Sequence, residues 1–146
     1  MFKRILLATD GSAASEHAAT LAVSMAREYG ASLTALYVVD PYPFLGVGEV
    51  NPMGFDAYMA AAREQAPVAH AQVAKIATEG GAPVSVTARL VEDAAVMEGI
   101  LDTIKQDGCD LVVVGSHGRT GLSRLMLGSV ASKVVAQSPV PVLVTR

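Results

Sequence analysis

The sequence contains one cysteine and no tryptophan, and only 17% of its residues are charged. The scarcity of cysteine and the scarcity of charge each exclude a class of protein. The single cysteine, Cys109, cannot form an internal disulfide or a multi-cysteine metal site, and we expect it to be a small buried residue. The formal net charge is −3 and no block of lysine or arginine is present, so no nucleic-acid polymer is expected as a partner. A small phosphorylated ligand stays open, because backbone amides can hold an anion without net positive charge.

Long apolar runs are also missing. No uninterrupted stretch approaches the roughly 18 residues needed to span a bilayer, so no membrane partner is expected. The first residues, 1–4, lead into a short apolar run that Asp10 closes, which is not the pattern of a signal peptide. We therefore expect a cytoplasmic protein. Hydrophobic residues make up 51% of the 146 residues, which predicts one domain with a well-filled core.

Strand and helix patterns alternate along the chain. A short apolar run at 5–8 is followed by capping residues at 10–12 and by helical spacing that Gly30 ends. A second apolar run, Leu33–Val39, completes a pattern typical of a βαβ unit. The segment Pro41–Gly54 is rich in proline and glycine, and its length predicts a functional or mobile loop.

Capping signals divide the middle of the chain. Asp56 is expected to cap a helix that runs to about Thr78, with a kink or break at Pro67. Asp93 is expected to cap the next helix, which Gly108 ends. A shorter helical pattern follows further on and stops before a proline.

The remaining strands predict an open sheet. Residues 84–90 alternate between apolar and polar and therefore indicate a half-exposed edge strand. Leu111–Val114 is the most apolar run and should be central, while Pro141 suits the opposite edge because it cannot donate a ladder hydrogen bond. The fold class is therefore α/β: a single-domain, Rossmann-like parallel sheet of five strands with helices on both faces.

A glycine-rich stretch, GSHGRTGLSRLMLGS, follows the predicted central strand at 115–129. It does not match the GxxxxGK[ST] pattern of P-loop ATPases, and no GxGxxG follows the first strand. In open parallel sheets, ligands bind at the carboxyl ends of strands where the strand order reverses. Thr9 and Asp10 would share such a crevice with 115–118 if the first and fourth strands were neighbours, which spacing alone does not decide.

Four stretches in order resemble the universal stress protein family. They are Ile5–Ser12, Leu36–Asp40, the ATP-binding spacing G-x2-G-x9-G-S from Gly115 to Ser129, and Pro139–Val144. The resemblance extends over nearly the whole chain and implies one nucleotide-binding domain over 1–146 with strand order 3-2-1-4-5. It also implies ATP, ADP or AMP as ligand, Mg²⁺ through the phosphates, and a homodimer formed by the C-terminal edge strand near Val140–Val144.

The resemblance assigns roles to individual residues. Asp10 and Val38 would line the adenine and ribose end, and Gly115 would lie against the ribose. The residues that would surround the phosphates are Gly118, Gly128, Ser129 and Val130. The expected binding residues are Thr9, Asp10, Val38, Val114, Gly115, Ser116, His117, Gly118, Arg119, Gly128, Ser129 and Val130. Glycine allows close backbone approach and positive φ, and Ser129 is expected to cap a helix whose first amides face the phosphates.

Three functions compete. The leading one is an ATP- or AMP-binding stress-response or signalling module with no catalytic residue and at most weak hydrolysis. The second is a slow ATP hydrolase or a phosphoryl or adenylyl transferase, with His117 as its candidate base. The third is a nucleotide-free protein-interaction dimer, ranked lowest because the glycine signature is present. His17 and His70 are expected at the surface, and three scattered histidines make no metal site. Gly121 is expected only to turn the chain.

Overall fold

The computed structural model describes residues 1–41, 52–118 and 126–146, in which strands and helices alternate. The elements are β1 (Arg4–Ala8), α1 (Ala13–Tyr29), β2 (Ser32–Val39), α2 (Pro52–Thr78), β3 (Val86–Glu92), α3 (Val96–Asp107), β4 (Leu111–Gly115), α4 (Ser129–Gln137) and β5 (Val142–Thr145). The strands form one five-stranded sheet in the order β3-β2-β1-β4-β5, and every neighbouring pair is parallel. The predicted fold class, the strand order and both predicted edges are confirmed.

Helices cover both faces of the sheet, which explains the continuous apolar runs of the central strands. In β1, Ile5 and Leu7 pack with α1, whereas Leu6 packs with α3 and α4 on the opposite face. A strand buried on both faces has no solvent side on which to place polar residues. Helix α2 lies on the α1 face, where Tyr37 and Val39 of β2 contact its buried alanines.

Local signals fix the ends of α1 and α3. Ser12 is the N-cap of α1, and its Oγ accepts a hydrogen bond from the amide of Ser15 at 3.3 Å. Gly30 and Gly108 end the two helices in the left-handed region, with φ of 64° and 62°, as a glycine C-cap does. These ends agree with the predictions.

Helix α2 departs from the prediction at two points. It begins at Pro52, before the expected cap Asp56, because proline is well suited to the first turn of a helix. It also continues through Pro67, where a kink or break was expected. Buried Ala66 and Ala69 hold the helix against β2 on either side of Pro67, so packing outweighs the lost backbone hydrogen bond. Of the predicted loop at 41–54, residues 42–51 lie outside the described part of the chain.

The cap of α3 was predicted wrongly. Asp93 has φ of 57° and lies outside the helix, whose N-cap is Ala95. The amide of Val96 instead donates to Oδ2 of Asp40 at 3.2 Å. Asp40 follows β2, 56 positions earlier in the chain, so no local pattern could have indicated this contact.

Cys109 lies where the sequence predicted it, whereas His70 does not. Cys109 is buried, as expected, and burial, followed by the nearby carboxylates of Asp107 and Asp110, raises the pKa of its thiol to about 11. His17 is exposed, but His70 packs edge-to-face against buried Tyr37 with ring centroids 6.4 Å apart. The surface assignment of His70 was therefore wrong, because α2 turns this residue towards β2.

Arg27 connects the end of α1 to the end of α2. Its Nε donates to the carbonyl of Ala82 at 2.7 Å, and its Nη2 donates to the carbonyls of Glu79 at 2.9 Å and Ala77 at 3.4 Å. The guanidinium supplies donors to carbonyls at and just beyond the end of α2, of which that of Ala77 also accepts from the Val84 amide. A single side chain thus links α1 to the connection between α2 and β3.

Replacing Arg27 with lysine should lower the free energy of unfolding by about 1–2 kcal/mol, because a point ammonium cannot reproduce the guanidinium fork. Urea denaturation monitored by circular dichroism measures the difference. Lys75→Ala is the control, since exposed Lys75 lies 4.0 Å from Glu79 and such pairs contribute little. Equal losses in both variants would show that the fork has no special role.

Candidate functional site

A cavity of about 190 Å³ opens at the carboxyl ends of β1 and β4, where the strand order reverses. The two strands are neighbours, with Ile5 opposite Leu111 and Leu7 opposite Val113. This adjacency brings together the two polar loops that the sequence left unconnected. The lining residues are Ala8, Thr9, Asp10, Ser15, Leu36, Val38, Val96, Val114, Gly115, Ser116, His117, Gly118, Gly128, Ser129, Val130 and Ala131.

Eleven of the twelve expected binding residues line this cavity. Arg119 lies outside the described residues, as does Gly121. The lining also contains five residues that the sequence did not indicate: Ala8, Ser15, Leu36, Val96 and Ala131. Ala8 and Ala131 each adjoin an expected binding residue in the sequence, and Leu36 lies in β2 with Val38. Ser15 donates its amide to the side chain of the N-cap Ser12. Val96 carried no signal, because the approach of α3 to this edge is a tertiary contact.

Hydroxyl groups stiffen the loop that follows β1. Thr9 and Ser15 are buried, and their hydroxyl oxygens are 3.1 Å apart. Thr9 Oγ1 also accepts from the amide of Gly11 at 3.3 Å, while Ser15 Oγ donates to the Ser12 carbonyl at 3.0 Å. Asp10 Oδ1 accepts from the amide of Ser12 at 2.9 Å. The turn between β1 and α1 is therefore held by its own side chains, with Asp10 at the cavity wall.

The three motif glycines are required for space and not for positive φ. None of Gly115, Gly118 and Gly128 has φ in the left-handed region, contrary to one of the two reasons given for them. A Cβ at Gly128 would lie 2.8 Å from the Ser116 carbonyl oxygen, and one at Gly115 would lie 3.2 Å from the Ala14 carbonyl oxygen. A side chain at Gly128 would therefore collide with backbone, and one at Gly115 would be packed tightly against it.

Gly118 differs from the other two. A Cβ there would lie 3.0 Å from Oδ2 of Asp10, so the nearest group is the end of a side chain. This contact shows that the loop after β4 approaches the loop after β1 across the cavity. The two stretches that define the expected site are therefore in direct proximity.

The N-terminus of α4 opens onto the cavity. Gly128 is its N-cap, so the expected capping role of Ser129 was wrong: Ser129 is the first helical residue. The Gly128 amide donates to the Ser116 carbonyl at 2.7 Å, which fixes the helix start against the end of β4. The first intrahelical bond is donated by Ser132. The amides of 129–131 therefore have no intrahelical acceptor, and these residues line the cavity.

His117 is held by its neighbour. Its Nδ1 lies 2.9 Å from Oγ of buried Ser116, whose amide donates to the Thr145 carbonyl at 2.7 Å. The imidazole lines the cavity and is half-buried. The neighbouring hydroxyl and backbone therefore hold His117 as a loop residue at the cavity wall.

Part of the cavity wall is apolar. Leu36, Val38, Val96 and Val114 supply its surface from β2, α3 and β4. Helix α3 comes this close because Gly99 faces Val38: a Cβ at Gly99 would lie 2.8 Å from Val38 Cγ2. One end of the cavity can thus bury a flat apolar group, while the α4 end offers amide donors and a positive helix dipole.

Comparison with known proteins agrees with this geometry. The model of the universal stress protein family matches residues 1–146. The chain belongs to the universal stress protein family. A universal stress protein of Methanocaldococcus jannaschii is 35% identical over 146 residues, covering 100% of this chain and 83% of that protein. The structure of universal stress protein UspA from Lactobacillus plantarum is 30% identical, with a TM-score of 0.84, and covers 99% of this chain and 97% of its own.

Two other solved universal stress proteins share the fold at lower identity. One, in complex with cAMP, is 22% identical with a TM-score of 0.74 and covers 99% of this chain and 97% of its own. The other, from Archaeoglobus fulgidus in complex with dAMP, is 20% identical with a TM-score of 0.65 and covers 100% and 98%. At these identities the likeness shows a common fold.

The described residues contain neither a metal-binding cluster nor a helix that could span a membrane. No group of three or more histidine, cysteine, aspartate or glutamate residues is placed to hold a metal ion in the parts of the chain that the structure describes. No helix within 1–41, 52–118 or 126–146 has the length and apolar character needed to cross a membrane.

Gly128→Ala should lower the free energy of unfolding by about 1–3 kcal/mol, because the new methyl group overlaps the Ser116 carbonyl. Thermal and urea unfolding measure this loss. Ser129→Ala is the matched control: alanine is a good helix former at the first helical position, and the change should stay within about 0.5 kcal/mol. A larger loss for Ser129→Ala than for Gly128→Ala would mean that the serine hydroxyl, and not close backbone contact, secures the helix start.

Proposed function

We propose that this universal stress protein binds an adenine nucleotide, ATP, ADP or AMP, in the cavity and acts as a cytoplasmic stress-response or signalling module. One observation carries the proposal. The first amides of α4 open onto the same cavity as the apolar surface formed by Val38, Val96 and Val114. Such a cavity is complementary to a ligand with a flat apolar base at one end and phosphates at the other.

The groups between the two ends suit a ribose. Asp10 presents a carboxylate at the wall, and Gly115 and Gly118 keep the floor free of side chains. A carboxylate accepts hydrogen bonds from sugar hydroxyls, and bare backbone allows close approach. Mg²⁺ would be carried by the phosphates.

The choice of adenine rests on related proteins. Two structural neighbours are described in complex with cAMP and dAMP, both of which contain adenine. Those ligands belong to those proteins, and their adenine enters here as part of the proposal. The sequence spacing G-x2-G-x9-G-S supports ATP within the same class.

Binding is favoured over rapid hydrolysis by the polar groups at the cavity. Among the described lining residues Asp10 is the one carboxylate, and its Oδ1 already accepts from the Ser12 amide. His117 Nδ1 is paired with the Ser116 hydroxyl. Both groups are thus engaged by a neighbouring residue, which favours a binding role over activation of a water for attack on a phosphate.

The variant Ser129→Asp tests where the phosphates bind. A carboxylate at the start of α4 complements the helix dipole and keeps the fold, but it repels a phosphate at the same amides. Isothermal titration should show ATP affinity falling by about tenfold or more, while adenosine affinity stays within about twofold. Gln137→Glu is the matched control, because it adds the same charge at the far end of α4 and should leave both affinities unchanged.

Three results would contradict this assignment. Equal losses for ATP and adenosine would place the phosphates elsewhere. Absence of ATP binding to the wild-type protein would favour the nucleotide-free interaction dimer. Steady ADP release that His117→Ala abolishes would replace the binding module with an ATP hydrolase.

We also propose that the protein forms a homodimer through β5. This strand pairs with β4 on one side and is an edge of the sheet. The carbonyls of Pro141 and Thr145 accept from β4, so by alternation the backbone groups of Val142 and Val144 point away from the sheet. An apolar edge strand with outward backbone groups favours pairing with a second copy.

Val144→Pro should convert the dimer to monomer, because it removes an outward N–H from each copy; the dimer Kd should rise by about tenfold or more. Light scattering across the micromolar range measures the mass. Ala88→Pro is the matched control on the opposite edge strand, β3, where the Ser85 carbonyl accepts from Leu33 and residue 88 therefore points outward. A wild-type monomer, or dissociation by Ala88→Pro alone, would refute the β5 interface.

A further inference from the structure

Three helices begin at the cavity. Helices α1, α3 and α4 each contribute a residue of the first turn to its lining, namely Ser15, Val96 and Ser129. A helix start carries amides without intrahelical partners and the positive end of the dipole, so each of the three could attract an anion. The direction of a bound nucleotide depends on which start remains open to its phosphates.

The start of α1 is closed by residues beside it. Ser12 Oγ accepts from the Ser15 amide, and Asp10 Oδ1 accepts from the Ser12 amide. A local carboxylate therefore already lies at this positive end.

The start of α3 is closed from a distance. Its N-cap, Ala95, has no side-chain acceptor, and the Val96 amide donates to Oδ2 of Asp40 at 3.2 Å. The backbone of Asp40 is itself held, because the Tyr58 hydroxyl of α2 donates to its carbonyl at 2.8 Å. A carboxylate is thus held at a helix start that borders the apolar surface of the cavity.

The start of α4 has no such side-chain acceptor among the described residues. Its N-cap is Gly128, which has no side chain, and its first turn contains no acidic residue. Within the described residues, α4 is therefore the helix start at this cavity that no carboxylate of the chain occupies.

We infer that Asp40 is a positioning residue that sets the direction of the bound nucleotide. Its carboxylate excludes phosphate from α3, directs the phosphates to α4 and leaves the surface formed by Val38 and Val96 to the base. The nucleotide part of this inference rests on the proposed function, whereas the exclusion of phosphate from α3 can be measured without a nucleotide.

Amide NMR with inorganic phosphate as the probe tests this exclusion. In the wild-type protein, phosphate should shift the amides of 129–131 and leave those of 96–98 unchanged. In Asp40→Ala the amides of 96–98 should also shift, with phosphate binding there roughly tenfold more tightly than in the wild type. Asp40→Asn keeps an acceptor for Val96 without the charge, so it should preserve the helix start and give a smaller shift.

Asp93→Asn is the matched control for charge. It removes one carboxylate close to α3, at a residue outside the helix whose φ of 57° asparagine tolerates. The amides of 96–98 should not respond to phosphate in this variant. A response equal to that of Asp40→Asn would mean that overall charge, and not the position of Asp40, excludes the anion.

The outcomes separate this inference from the proposed function. If the wild-type amides of 96–98 respond to phosphate as strongly as those of 129–131, or stay silent in Asp40→Ala, the inference fails even where ATP binds. If ATP does not bind but Asp40→Ala opens α3 to phosphate, the nucleotide proposal fails and the exclusion by Asp40 stands. Asp40→Asn gives the same reading should Asp40→Ala not fold.

Discussion

The close backbone contact between Gly128 and Ser116 determines the geometry of the site. The Gly128 amide donates to the Ser116 carbonyl at 2.7 Å, and a Cβ on Gly128 would lie 2.8 Å from the same oxygen. This contact returns the chain to the end of β4 and points the open amides of α4 into the cavity. Since Ser116 is in turn bonded to the Thr145 carbonyl of β5, the helix start, the loop after β4 and the edge strand are coupled through adjacent backbone groups.

The walls around this helix start are rigid for a related reason. Thr9 and Ser15 hold the turn after β1 by hydroxyl contacts, and Tyr58 holds the backbone of Asp40 after β2. Each of these groups satisfies a polar atom of the chain itself, so the loops need no ligand to keep their shape. Among the described residues, these loop contacts leave the start of α4 as the place where amides without intrahelical acceptors can attract an anion.

The sequence predicted the fold well because burial on both faces requires continuous apolar runs, Ile5–Ala8 in β1 and Leu111–Val114 in β4, while edge strand β3 alternates. It indicated where the cavity lies because Thr9 and Asp10 directly follow β1 and Gly115 ends β4. Two of the errors have a common physical origin. Asp40 caps a helix 56 positions away, and α2 tolerates Pro67 because it packs on β2. Both effects arise from tertiary contacts, which local capping and helix-breaking patterns do not reveal.

The glycine spacing has two physical causes. Gly115 and Gly128 face carbonyl oxygens of the backbone, whereas Gly118 faces the carboxylate of Asp10, and none of the three adopts a left-handed conformation. The first two are therefore constraints of the fold whether or not a ligand binds: Gly115 allows the start of α1 to approach β4, and Gly128 allows the chain to return to Ser116. Gly118 is a constraint of the cavity, because its missing side chain leaves room beside Asp10. A single sequence signature thus combines two requirements, and a glycine kept only for folding would not by itself indicate a nucleotide.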